Sequence, residues 1–488
     1  MPAMHDFVTW EPLLRILRAD GARTPVAPHG HLAGRIGRHG WVRVPRRPRR
    51  GRADRAELDA VERVLRALAE AEVGCVSFKA EISPTGATAL HLLDPGPAVE
   101  PGFATPHPGA LLLVEGALPE PWRRRPDPTP GAPPSPSADP ASLERTLRAR
   151  VPGARGATEE EIAAAEKRLG VTLPGELKVL HRVAAAGRRG RGGDDEAAER
   201  LDRAVGCELL PLERMYVAHA RTRPCAWRSA ATQVVVTPPG AAVQGLVGSP
   251  GWIVFAVGGG GDPIAVDLTP GPRGALGQIV LLDHEQVIGA ELLADSLTDL
   301  VVNGRREGRR DRRWDGPPPG ARTDLASLTN PRAAVDPHLE VLTTGGWQGA
   351  PLSLVPVMGL PRLRTLAASP GTLADPLEIA RLTALEFLEL GPQDWRVLLD
   401  AGAVPRGLAA AAIEVHRDQD PLPVVELANE ILALRDRPPI TRTVLHGDLG
   451  PAQLLGTRSP AMSGARDRID RRVSPPTPHA RSGRRCGF

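Results

Sequence analysis

The residue types able to do chemistry are few in this chain, and their spacing rarely suits it. His29, His31 and His39 cluster among glycines in PHGHLAGRIGRHG. A zinc site would need helical i, i+4 placement or an acidic or thiol co-ligand nearby, and neither is present, so the cluster reads as an exposed loop. The run Gly258–Gly261 invites a phosphate-loop reading, but no Lys-Ser/Thr and no helix start follow it, and a hairpin turn accounts for it. Cys75, Cys207, Cys225 and Cys486 are scattered, which favours reduced thiols in a cytoplasm over a disulfide framework. No GxSxG, HExxH, Walker or paired-carboxylate motif appears. The expectation is a protein with no catalytic, cofactor-binding or metal-binding residues.

The elements that would position any site are short. Among 488 residues there are 52 Gly and 52 Pro, so many breakers predict brief elements and several connectors. Aromatics are 3% of the chain, which disfavours a base-stacking platform for nucleic acid. The formal charge of +4 is uneven: Gly456–Phe488 and Arg43–Arg55 each carry +6, leaving −8 for the rest. The body is mildly acidic, and the basicity reads as solvated Arg-rich linkers. No secretory signal and no apolar run of membrane-spanning length is visible, so a cytoplasmic protein is expected.

Composition divides the chain. Residues 1–123 form a small α/β domain of unknown role, with a helix at Arg55–Glu72 and strands at Gly74–Phe78, Ala87–Leu93 and Ala110–Val114. Residues 124–141 are a Pro-rich linker, expected to be extended and solvated. A central domain spans 142–303, an Arg/Pro-rich linker 304–323, a third segment 324–455 and a disordered basic tail 456–488.

The central domain is the most informative. Thr158 and Glu161 form a capping box, Ile162, Ala165 and Leu169 recur at helical spacing, and Gly170 is placed as the left-handed stop. After Leu173, Pro174 opens a second helix at its first position, with Leu177, Leu180 and Ala184 inward and Gly187 ending it. Strands then follow at Gly251–Val257, Pro263–Leu268 and Gln278–Leu282, joined by glycine turns into an antiparallel meander, and a helix at Gly289–Val302 closes the domain. The helix hairpin does not suit DNA, because its second helix begins Pro174–Gly175–Glu176 and presents a carboxylate to phosphates.

This order resembles the SUKH superfamily, the Smi/Knr cell-wall-assembly regulators and their bacterial relatives. The matching residues are TEEEIAAAEKRLGVTLPGELKVLHRV, Trp252, Asp262 with AVDLTPGPRGALGQIVLLDHE, and ELLADSLTDLVV. The resemblance implies an α+β protein-interaction module, and for many bacterial members an immunity protein that neutralises a toxin domain. His181 departs from the family by replacing the aromatic usual near the end of the second helix, and Arg188–Glu199 is an insert. Thr158, Glu161, Gly170, Leu173, Pro174, Trp252, Asp262 and Asp267 are family-motif positions, mostly structural. Trp252, Asp267 and Asp283 are the candidates for partner contact, weighed against core packing for the indole and turn hydrogen bonding for the carboxylates.

In the third segment Leu339, Leu363, Leu385 and Leu408 begin motifs 22 to 24 residues apart, which resembles degenerate leucine-rich repeats over about 335–420 and implies a concave binding surface. His446–Gly447–Asp448–Leu449 resembles the catalytic loop of aminoglycoside-phosphotransferase-like kinases, but Gln453 stands where the metal-binding Asn belongs and no nucleotide lobe precedes it, so the match reads as coincidence. The fold class expected is α+β and multidomain: a small N-terminal α/β domain, a SUKH-like domain with an antiparallel meander and a leucine-repeat-like α/β segment. The function expected is non-enzymatic binding of a protein partner, a toxin domain foremost, with a regulatory scaffold of the Smi/Knr type as the alternative. Neither membrane nor nucleic acid is expected as a partner.

Overall fold

The structure is a computed structural model describing residues 3–21, 32–38, 40, 41–44, 55–102, 105–184, 195–286, 288–304, 322–324, 336–345, 347 and 349–451. His29, His31, His39, Gly187, Gln453, Cys486, most of the 304–323 linker and the 456–488 tail lie outside the described residues.

The chain opens with helix α1 (Phe7–Gly21), strands β1 (Leu32–Gly37) and β2 (Gly40–Val44), helix α2 (Arg55–Glu70) and strands β3 (Cys75–Ile82) and β4 (Ala87–Asp94). Trp10, Leu13, Leu14 and Leu17 of α1 and Val61, Val64 and Leu68 of α2 bury one face of this sheet, with Trp10 against Phe78 at 5.4 Å between ring centroids. Strands β5 (Val99–Pro101) and β6 (Pro108–Leu112) and a helical turn α3 (Glu120–Arg123) follow.

The central segment comprises α4 (Pro140–Arg150), α5 (Glu159–Leu169), α6 (Gly175–Val183), α7 (Asp195–Val205), β7 (Glu208–Leu209), β8 (Tyr216–Val217), α8 (Trp227–Ala231), β9 (Trp252–Val257), β10 (Pro263–Asp267), β11 (Gln278–Leu281), β12 (Glu291–Ala294) and α9 (Leu297–Asn303). Strands β9 to β12 pair antiparallel in sequence order. The helix expected over Gly289–Val302 is a strand and then a helix. Glu291–Ala294 adds an edge to β11, and Ser296, whose hydroxyl accepts from the Asp299 amide at 2.9 Å, starts α9. A short apolar run fits either element, and here the open sheet edge claims it.

The Pro-rich linker is irregular but docked. The Asp127 amide donates to Gln244 Oε1 at 2.8 Å, the Ser137 hydroxyl to Ser296 Oγ at 2.9 Å and the Asp139 amide to Thr298 Oγ1 at 3.1 Å. Polyproline backbone leaves its polar groups unpaired, so it can dock wherever fixed partners meet it.

The last segment holds β13 (Arg322–Asp324), β14 (Val341–Thr343), β15 (Thr365–Ala368), β16 (Phe387–Leu390), α10 (Pro392–Asp400), β17 (Ala410–Ile413), α11 (Pro421–Ala433) and β18 (Thr441–Asp448). Strands β13 to β17 pair parallel, and Val341, Thr365, Phe387 and Ala410 fall in register.

Two pairings cross the domain boundaries expected from composition. Strand β6 pairs antiparallel with β17, extending the parallel sheet, and β18 pairs antiparallel with β4, completing the amino-terminal sheet. Each end of the body therefore lends a strand to the other.

Candidate functional site

The helix hairpin forms through its caps. Thr158 Oγ1 accepts from the Glu161 amide at 3.2 Å, and Glu161 Oε2 accepts from the Thr158 amide at 2.8 Å. Gly170 ends α5 at φ 71°, a conformation a side chain resists. Leu173 is buried, and its amide donates to Glu166 Oε1 at 2.7 Å, a carboxylate that also pairs with Lys178. Pro174 stands one residue before α6, as its cap, not at the first helical position.

Glu176 does not face outward as the sequence suggested. Its buried carboxylate accepts the Leu297 and Thr298 amides at 3.2 and 3.0 Å, so α6 caps the buried amides at the start of α9 that no helical carbonyl reaches. His181 is fully buried, neither ring nitrogen has a hydrogen-bond partner, and burial pushes its pKa down to about 4. It packs as a neutral ring.

Trp252, the first residue of β9, and Asp267, the last of β10, are paired across the two strands, and both are fully buried. Full burial leaves neither side chain any surface to offer a partner. Asp267 accepts from the Thr269 amide at 2.8 Å and from Gln278 Nε2 at 2.9 Å. Desolvation raises its pKa to about 6 against these donors and the neighbouring Trp252 indole. The indole N–H favours the ionised carboxylate without meeting hydrogen-bond geometry itself.

Asp262, Asp283 and His284 gather at the open end of the meander, with ligand atoms within 4.8 Å of one another. Asp262 Oδ1 already holds His284 Nδ1 at 2.6 Å and the His284 amide at 3.0 Å, and this carboxylate raises the imidazole pKa. Behind them Arg223 staples the loop through the carbonyls of Val247, Asp283, Gln286 and Gly289. Burial lowers the Arg223 pKa to about 10. Of the three expected contacts, Asp283 alone reaches the surface.

A groove of about 400 Å³ runs along the outer face of α5, lined by Ala157, Glu161, Ala164, Arg168, Leu212 and Glu213. Arg168 fixes one wall by donating to the carbonyls of Met215 and Leu212 at 2.9 and 2.6 Å.

Sequence reasoning missed a second cleft, of about 1110 Å³, between the amino-terminal sheet and the loop before α11. Lys79 is buried there between Asp420 (2.6 Å) and Glu81 (2.7 Å), and these bonds outweigh desolvation to raise its pKa. His91, lined up with Lys79 across the sheet, accepts from Arg442 Nε at 3.0 Å, and burial first, then Arg442, lowers its pKa. The residues lining the cleft come from positions 79–89 and 416–447, so no local motif could have revealed it. His446, Gly447 and Asp448 lie in strand β18.

This closed α+β unit of a capped helix hairpin, a meander and a final helix defines a SUKH-type module. Residues 156–303 match the SMI1/KNR4 family (SUKH-1), and this segment belongs to the SUKH superfamily. Among curated proteins, the cell wall biosynthesis/cell cycle regulator smi1 of Schizosaccharomyces pombe is 29% identical over 143 residues, covering 27% of this chain and 27% of that relative. The chain thus spans about a quarter of that relative's length. No described helix is long and apolar enough to cross a membrane.

Proposed function

We propose that the chain is a cytoplasmic, non-enzymatic binding protein whose SUKH segment grips a protein partner, and that the partner is a toxin domain neutralised by occlusion. The observation that carries this reading is the family match over a unit whose buried polar groups are turned inward: Glu176 caps α9 and Asp267 serves a turn. What the segment offers outward is the α5 groove and the Asp283 end of the meander. The parallel strands at Val341, Thr365, Phe387 and Ala410 support the leucine-repeat reading, with stacked units as scaffold. The alternative is a regulatory scaffold without a toxin partner, favoured by the similarity to a fission-yeast cell wall biosynthesis/cell cycle regulator.

Affinity capture with the full chain tests both. A tight one-to-one complex with a toxin, lost in Ala164→Arg, which fills the groove, supports occlusion. Several weaker partners support the scaffold, and retention of none overturns both.

A further inference from the structure

Strand β18 is the outermost strand of the amino-terminal sheet. It pairs with β4 over eight residues, Thr441–Asp448, without a register shift, and among the described residues no strand covers its other side. Proteins usually blunt such an edge with proline, lysine, a bulge or brevity. TRTVLHGD has none of these, and its two charges, Arg442 and Asp448, are of opposite sign, so they do not repel an antiparallel copy. The Leu449 amide donates to the Gly86 carbonyl at 2.9 Å, so antiparallel alternation turns the amides and carbonyls of Arg442, Val444 and His446 outward.

We infer that this edge pairs with the same edge of a second copy about a two-fold axis, joining two five-stranded sheets into one. The sequence of the strand selects both the occupant and the register. Centred on Leu445, antiparallel self-pairing sets Arg442 of one copy opposite Asp448 of the other, and Val444 opposite His446. All four carry outward-facing amides, so every opposed pair exchanges backbone hydrogen bonds. Sliding by two residues either way keeps the hydrogen bonds but loses the opposed charges, and sliding by one turns amides away from each other. Arg442 spends only Nε on His91, and Asp448 Oδ1 on the Gly450 amide, which leaves the other guanidinium and carboxylate atoms for the pair. An edge of this length gives a small interface, so the dimer is concentration-dependent.

Sedimentation equilibrium of the full chain, from roughly 1 to 100 µM, is the test. A monomer–dimer equilibrium is expected. Arg442→Asp and Asp448→Arg each set like charges opposite one another twice per dimer and weaken it about tenfold. The double variant R442D/D448R restores the wild-type constant. Val444→Pro removes an outward amide and abolishes the dimer, with the far-ultraviolet spectrum of the monomer unchanged. A monomer at every concentration overturns the inference. So does a dimer indifferent to the charge changes, or a double variant no better than the singles.

Discussion

The Trp227 indole stacks on the Phe387 ring, with centroids 6.0 Å apart and planes 25° from parallel. Trp227 opens α8 of the SUKH segment, and Phe387 opens β16 of the parallel sheet. Around them Arg228 pairs with Glu389 at 2.6 Å, and Thr365 Oγ1 donates to the Ala231 carbonyl at 2.8 Å. The sheet face expected from its leucine spacing to be an open binding surface is therefore covered by the chain's own central segment.

Removing the indole should uncouple the two. Trp227→Ala is expected to cost about 3 kcal/mol, the order usual for a large buried aromatic. Chemical denaturation followed by two probes, one in each segment, should then show two transitions where the wild type shows one.

Glu340 is the keystone of a buried charge cluster. Its carboxylate takes Arg124 at 3.2 Å, Arg364 at 3.3 Å and Arg362, and it is almost fully buried. Glu340→Ala leaves Glu120, 2.5 Å from Arg124 and 3.5 Å from Arg364, to face the two guanidinium groups, and should destabilise by about 3 kcal/mol, with Glu340→Gln milder. Urea midpoints at pH 7 decide it.

Two buried groups of the SUKH segment pull acid stability in opposite directions. The Asp267 pKa is raised from 3.8 to about 6, so the folded state holds that proton more tightly, and the stability it confers drains away as pH rises from 4 to 6. The His181 pKa is lowered from 6.5 to about 4, so its contribution is complete above 6.5 and is lost as pH falls towards 4. Between pH 4 and 6 each has a slope of about 1.4 kcal/mol per unit, with opposite signs. Asp267→Asn should expose the histidine's slope, and His181→Phe the aspartate's. Unfolding free energies at four pH values separate them, and parallel curves for both variants would contradict the assignment.

Thr158→Ala removes one half of the capping box and should cost about 1 kcal/mol, while Thr158→Ser keeps it. The helicity of α5 and the thermal midpoint report this loss.

Legibility followed range. The capping box at Thr158 and the stop at Gly170 were readable because residues three or four apart decide them. The SUKH segment was readable because its motifs occur in a set order. Glu176 was misread, since its partners, the Leu297 and Thr298 amides, are more than a hundred residues away. Trp252 and Asp267 were assigned to strands, but no local pattern says how much will be stacked on a strand. The Lys79 cleft and the β6–β17 and β18–β4 pairings were illegible for the same reason: a strand's alternation states which face is buried, not which neighbour it takes.

The β18–β4 ladder has a consequence for how this chain is made. Residues 87–94 are synthesised early, but their partner at 441–448 emerges only after the whole SUKH segment and the parallel sheet. During translation the amino-terminal sheet must wait with β4 as its bare margin, and so large a loop closes slowly. Chaperone demand should therefore concentrate at that strand, and a ribosome stalled before residue 441 should display a sticky nascent body that release of the finished chain cures.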